Sequence, residues 1–149
     1  MRAVVTKVTS ASVAVEGKQT QSIAGGLLVL LGSQEGDTDA DIAYIVDKVC
    51  NLRIFEDEQG KMNLSLQDVG GEILVVSQFT LLGDARKGRR PSFIHAGAPA
   101  EAEGIYNRAV EAFRRTGIGI KTGTFQTHMQ VASVNDGPVT ILLDSRKLF

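Results

Sequence analysis

Gly26-Leu27-Leu28-Val29-Leu30-Leu31-Gly32 sets five consecutive apolar residues between two glycines. A short run without polar alternation reads as a strand buried on both faces, the mark of a central strand in a covered sheet. On its N-terminal side, Val4–Val8 (VVTKV) and Ala11–Val15 (ASVAV) are β-branched or apolar, and Gly17 and Gly25-Gly26 punctuate them, so the first 31 residues read as strands. On its C-terminal side the period changes: Ile42, Ile45, Val46, Val49 and Cys50 form one helical stripe, and Thr38 with Asp41 resembles a capping box. Cys50 lies on that stripe and reads as a small buried hydrophobe rather than a nucleophile.

Further along, Arg53–Phe55 and Lys61–Leu66 flank a polar turn and suggest a hairpin. Gly70-Gly71 opens a strong strand, EILVVSQFTL, at 72–81. Residues 83–99 carry no periodicity, and a loop of that length inside a compact domain is a site candidate. Ala102, Ile105, Tyr106, Ala109, Val110 and Phe113 form a second helical stripe, with Pro99 suited to its first turn and Gly117 to its left-handed stop. Two more strands are expected in TFQTHMQVASV (124–134) and VTILLDS (139–145), separated by Asn135-Asp136-Gly137-Pro138. The fold class is therefore α/β: one domain over residues 1–149, with a mixed sheet and two main helices.

Composition narrows the function classes. A chain of 149 residues, 43% hydrophobic and 22% charged, can bury a full core without covalent staples. No apolar run is long enough to span a membrane, and MRAVVTKVTSASVAVEG lacks the pattern of a signal peptide, so export is not expected. One cysteine excludes an internal disulfide framework, and Cys50, His95 and His128 have no metal-ligand spacing, so chemistry without metal or cofactor is expected. Both histidines read as structural. Sixteen Lys and Arg against seventeen Asp and Glu leave no globally basic surface, so a nucleic-acid partner needs a local patch.

Three features can carry chemistry. Ser77-Gln78-Phe79-Thr80-Leu81 brings two hydroxyls and an amide to a strand end, where backbone N–H groups leave the ladder and can line an oxyanion site. Taken alone, those five residues fit local turn hydrogen bonds at least as well. Asn135-Asp136-Gly137-Pro138-Val139-Thr140 pairs a residue that cannot donate to a sheet with one that tolerates unusual torsions, which sets a rigid bend. By itself it reads as a plain turn; with a cis Gly-Pro bond its carbonyls would suit an ammonium group. Arg86, Lys87, Arg89 and Arg90 place four cations in five positions, followed by Pro91-Ser92-Phe93. A solvated loop is the default reading; phosphate contacts, with Phe93 stacking on a base or ribose, are the functional one.

SQFTL at 77–81, RRPSF at 89–93 and NDGPVT at 135–140, in that order, resemble the D-aminoacyl-tRNA deacylases, also called D-tyrosyl-tRNA deacylases. The resemblance covers the whole chain, with Leu82–Lys87 and the tail after Leu143 more individual. It implies a cytoplasmic homodimer of three layers (α/β/β) that hydrolyses the ester between a D-amino acid and the terminal ribose of tRNA, without metal or cofactor. It further implies that Gly137 and Pro138, joined by a cis bond, cross the dimer interface and reject L-amino acids in the partner's pocket. Asn135, Phe125 and Met129 join them as substrate-binding residues. Glycine has no side chain to reject, so glycyl-tRNA is an expected substrate. Ser77, Gln78, Phe79 and Thr80 form the catalytic set, through backbone N–H groups around Phe79 and Thr80. The attacking group is left open between Thr80, the ribose 2′-OH and water, and Thr80 has no visible base to activate it. Two other readings stay in view: an editing module for L-aminoacyl-tRNA, and a non-catalytic RNA-binding module using the basic loop.

Overall fold

The computed structural model describes residues 1–149. Along the chain come β1 (Arg2–Ala14), β2 (Gln21–Ile23), β3 (Gly26–Gly32), α1 (Asp39–Asn51), β4 (Phe55–Glu56), β5 (Met62–Leu64), α2 (Leu66–Val69) and β6 (Glu72–Ser77). A 3-10 turn (Phe79–Leu82), α3 (Pro99–Arg114), β7 (Gly119–Thr122) and β8 (Gln130–Asp144) complete it. The main sheet runs β2-β1-β3-β6-β7, with β8 also paired to β1. β1 is antiparallel to β2, β3 and β8, whereas β3, β6 and β7 are mutually parallel.

The uninterrupted apolar run of β3 is explained by its place between β1 and β6. Leu27, Val29 and Leu31 join Ile73 and Val75 of β6 in a core that the stripes of α1 and α3 cover. Leu28, Leu74 and Val76 point the other way and pack with Val8, Ala11 and Val13 of β1 and Ile23 of β2. The sheet is thus apolar on both faces at its centre. Gly26 is required by close approach: a Cβ there would lie 2.0 Å from the Glu72 carbonyl oxygen.

α1 begins where expected, with the Asp41 carboxylate accepting from the Thr38 N–H and hydroxyl at 2.8 and 2.9 Å, and Cys50 is buried on its stripe. Asp41 also accepts from Ser145 Oγ at 2.6 Å, which ties the helix to the chain's last turn. Burial opposes ionisation of Asp41, but the hydrogen bonds from Ser145 and Thr38 outweigh it and lower its pKa to about 2. Beside it, the Met1 ammonium donates to Asp37 Oδ1 at 2.7 Å and to Ser145 Oγ at 2.8 Å.

Five expectations change. The strand read over 72–81 ends at Ser77, because Phe79–Leu82 wind into the 3-10 turn. The two N-terminal strands are one, β1. The hairpin is shorter than Arg53–Leu66, because Ser65 caps α2 with Asp68. The segment 124–129 is a turn rather than strand, with Gln126 at φ +57°. Finally, Asn135–Pro138 does not separate two strands: β8 continues through it as an irregular stretch opposite Thr6–Ser10 of β1. Pro138 is tolerated because β8 pairs only with β1, leaving its other edge free of a ladder.

Candidate active site

Parallel strands end on one edge, and open sheets hold ligands at the carboxyl ends of such strands. Here β3, β6 and β7 end around a cavity of about 540 Å³. Leu31 and Ser33 come from the end of β3, Val76–Phe79 from the end of β6, and Phe125–Met129 from the segment after β7. Pro99, Ala102, Ile105 and Tyr106 of α3 close the side. Ten of its eighteen lining residues are hydrophobic and none is Asp, Glu, Lys or Arg. A charged side chain is therefore not at hand in this wall, and polar recognition falls to hydroxyls, amides, one imidazole and the backbone.

The strand end supplies that backbone. Gln78 N–H donates to Leu31 O at 2.8 Å, so the ladder reaches one residue past β6. Leu81 N–H then donates to Gln78 O at 3.3 Å and Gly83 N–H to Thr80 O at 3.0 Å as the 3-10 turn forms. Between them, Phe79 N–H and Thr80 N–H donate to no protein acceptor, as the first groups of a helical turn do. Gly32 makes room for this turn, since a Cβ there would stand 2.8 Å from Gln78 O. The Thr80 hydroxyl has one hydrogen-bond partner, the Gln78 side-chain amide.

Of the residues singled out from sequence, Ser77, Gln78, Phe79, Phe125 and Met129 line the cavity. Phe93 lies outside the wall but packs edge-on against Phe79, with ring centroids 5.1 Å apart. Phe79 itself is 55% exposed. Arg86 is drawn onto Asp84, with Nη2 to Oδ2 at 2.6 Å, and holds that carboxyl well below the usual carboxylate range. Lys87, Arg89 and Arg90 on the same loop are exposed and make no ion pair.

Asn135, Gly137 and Pro138 do not line the cavity of their own chain. They lie on the exposed stretch of β8, where the Gly137-Pro138 peptide is cis and Gly137 has φ +117°. Asp136 anchors the stretch through Lys7 Nζ at 3.0 Å, and the Lys7 side chain is only 10% exposed. Sequence reasoning missed His128, Met1 and Tyr106 as wall residues. Nothing in their local spacing marks them, since each reaches the cavity only through tertiary packing.

Residues 4–144 match the family model described as D-Tyr-tRNA(Tyr) deacylase. The chain belongs to that family. Among relatives of these deacylases, the D-aminoacyl-tRNA deacylase of Desulfitobacterium hafniense (strain DSM 10664 / DCB-2) is 58% identical over 149 residues, covering 100% of both chains. That of Natranaerobius thermophilus is 57% identical over 150 residues, again covering 100% of both. A solved structure named c-Myc DNA Unwinding Element Binding Protein superposes with a TM-score of 0.90 at 47% identity, covering 97% of this chain and 98% of that one. In this D-Tyr-tRNA deacylase family member, the motif SQFTL that ends β6 meets the cavity at the carboxyl edge of the parallel strands.

Proposed function

We propose that this D-aminoacyl-tRNA deacylase works as a homodimer of α/β/β layering, in which backbone groups carry both the chemistry and the chiral test. The observation that carries the reading is the pair of uncommitted N–H groups at Phe79, which lines a cavity with no charged side chain, and at Thr80, the exposed residue that follows it outside the wall. In ester hydrolysis the carbonyl oxygen gains negative charge as the nucleophile adds, and aimed N–H donors stabilise that charge without a metal or a charged residue. The water oxygen bonds to the carbonyl carbon, the bond to the ribose 3′-oxygen breaks, and a proton passes to that oxygen. Ser77 and Gln78 hold the strand end. On this reading Thr80 contributes its N–H and water is the nucleophile, since the only hydrogen-bond partner of the Thr80 hydroxyl is the Gln78 side-chain amide and no base stands beside it. The attacking water is oriented beside the ribose 2′-OH.

Chirality enters through a second copy. Gly137, Pro138 and Asn135 stand apart from their own cavity and face outward on β8, which suits delivery into a partner's pocket. Val131, Val134 and Leu142 are exposed on the same strand, at 40%, 58% and 58%, and provide apolar surface for that contact. With the amine and ester fixed, an L side chain meets the Gly137-Pro138 wall and a D side chain points to the opening. Phe125 and Met129 shape the terminal-nucleotide side, Phe93 buttresses Phe79, and Arg86, Lys87, Arg89 and Arg90 meet acceptor-end phosphates. Glycyl-tRNA passes the wall and is cleaved. With aminoacyl-tRNA as its substrate, the enzyme works in the cytoplasm.

The decisive experiment compares hydrolysis of D-tyrosyl-, L-tyrosyl- and glycyl-tRNA by the pure protein in the presence of a chelator. Loss of the D and glycyl esters with the L ester intact is expected. Binding of tRNA with no ester cleaved would favour the second reading, a nucleic-acid-binding module, which the name of the 47% identical structure keeps open.

A further inference from the structure

Tyr106 is used by none of the steps above, yet it stands where the two halves of the cavity meet. It is 5% exposed, and its Oη donates to the Val75 carbonyl at 3.0 Å. The same carbonyl accepts the Gly123 N–H at 3.1 Å. Val75 lies two residues before Ser77, at the start of the catalytic rim, and Gly123 is where the segment carrying Phe125 and Met129 leaves β7. The Tyr106 ring also packs against Phe125, with centroids 5.9 Å apart and planes tilted by 37°. Met129 folds back on Gly123 so closely that a Cβ there would meet its Sδ at 2.5 Å. One carbonyl and one ring therefore connect α3, the end of β6 and residues 123–129.

We propose that Tyr106 is a positioning residue that fixes residues 123–129 against the strand end at Ser77–Thr80 and so sets the affinity for substrate. Its single O–H is committed to Val75 O, so it cannot donate to substrate at the same time. Burial raises its pKa to about 12, which keeps the phenol a neutral donor. The rim, by contrast, has its own tether through Gln78 N–H to Leu31 O. Loss of the Tyr106 hydroxyl should loosen the binding side and leave the chemistry in place. The proposal rests on the reading that Phe125 and Met129 contact substrate.

The test is Tyr106→Phe, which keeps the ring and leaves Val75 O its Gly123 donor, so no buried group is orphaned. In steady-state deacylation of D-tyrosyl-tRNA, KM should rise about fivefold, the worth of one hydrogen bond, with kcat within about twofold. The three methionines give a second readout by ¹³C-methyl NMR: the Met129 resonance should shift or broaden, while exposed Met62 on β5 serves as an internal control. An unchanged KM, or a fall in kcat at constant KM, overturns the proposal. So does a Met129 methyl that does not move, whatever the activity. If the wild-type protein cleaves no D-ester, the functional reading falls instead, and the methyl spectra still decide whether Tyr106 holds residues 123–129.

Discussion

Gly137→Ala separates backbone strain from chiral discrimination in one variant. Gly137 sits at φ +117°, a region that L side chains rarely enter. Holding alanine there costs about 1–3 kcal/mol. Space adds to the torsional cost: the new methyl would lie 2.7 Å from Val139 Cγ2 and 2.9 Å from Val139 N. The valine methyl can rotate away; the backbone nitrogen cannot. The segment is pinned on one side by the Lys7–Asp136 pair and on the other by the pairing of Thr140 with Thr6. Relief must therefore move residues 137–139 themselves, and Pro138 with them. A net cost of about 2 kcal/mol lowers Tm by roughly 4–8 °C in a chain of this size. On the proposed chiral role of Gly137-Pro138, displacing the wall should also weaken rejection of L substrates, and each 1.4 kcal/mol of lost discrimination is about tenfold in the D-to-L ratio of kcat/KM. The assay is a thermal melt alongside paired D- and L-tyrosyl-tRNA hydrolysis. An unchanged Tm refutes the strain argument. A lowered Tm with an unaltered D-to-L ratio refutes the placement of Gly137 in the chiral wall.

Thr80→Ala should retain near-normal kcat, because the proposed role of the threonine lies in its N–H and not its hydroxyl; single-turnover hydrolysis checks this, and a loss of several hundredfold would restore Thr80 as a nucleophile. Replacing Lys87, Arg89 and Arg90 together by glutamate should raise KM and flatten its salt dependence, with the log–log slope falling by about 0.7 to 0.9 for each phosphate the loop no longer neutralises. Arg86→Glu alone should do less, since Asp84 already holds that guanidinium. For Asp41 the folded pKa of about 2 lies below the ordinary 3.8, so its ionised form stabilises the fold above about pH 4 and that contribution fades as pH falls through 2. Asp41→Asn should accordingly cost on the order of 1 kcal/mol at pH 7, after allowance for solvent screening. The gap from wild type in urea denaturation should then narrow from pH 4 downward.

The helical stripes of α1 and α3 were legible because 3.6-residue periodicity follows directly from one-sided burial, and the run at Leu27–Leu31 because central strands have no solvent face. SQFTL was legible as a strand end because polarity changes abruptly after Val76. The continuity of β8 was not, since Gly and Pro punctuate a sequence whether the backbone turns or only leaves its ladder for a few residues. The turn at 124–129 was hidden for the opposite reason: alternating residues there imitate a strand, and only the left-handed Gln126 breaks it. α2 did carry a signal, Ser65 followed by Asp68 three residues on, which the expectation of a hairpin overrode. Tyr106 read correctly as a core residue, but its hydroxyl partner lies 31 residues away and no local pattern points to it.

The double pairing of β1 bears on how the chain is made. One edge of β1 pairs with β3, close by in the sequence, yet its other edge waits for β8, with Arg2 opposite Asp144. During synthesis the ribosome must deliver residues 130–144 before that edge can close. Until then an apolar strand stays open to pairing with other chains, the situation in which slow, non-local sheets invite aggregation. The last strand to emerge also carries Gly137 and Pro138. Nascent chains stalled before β8 should therefore remain chaperone clients.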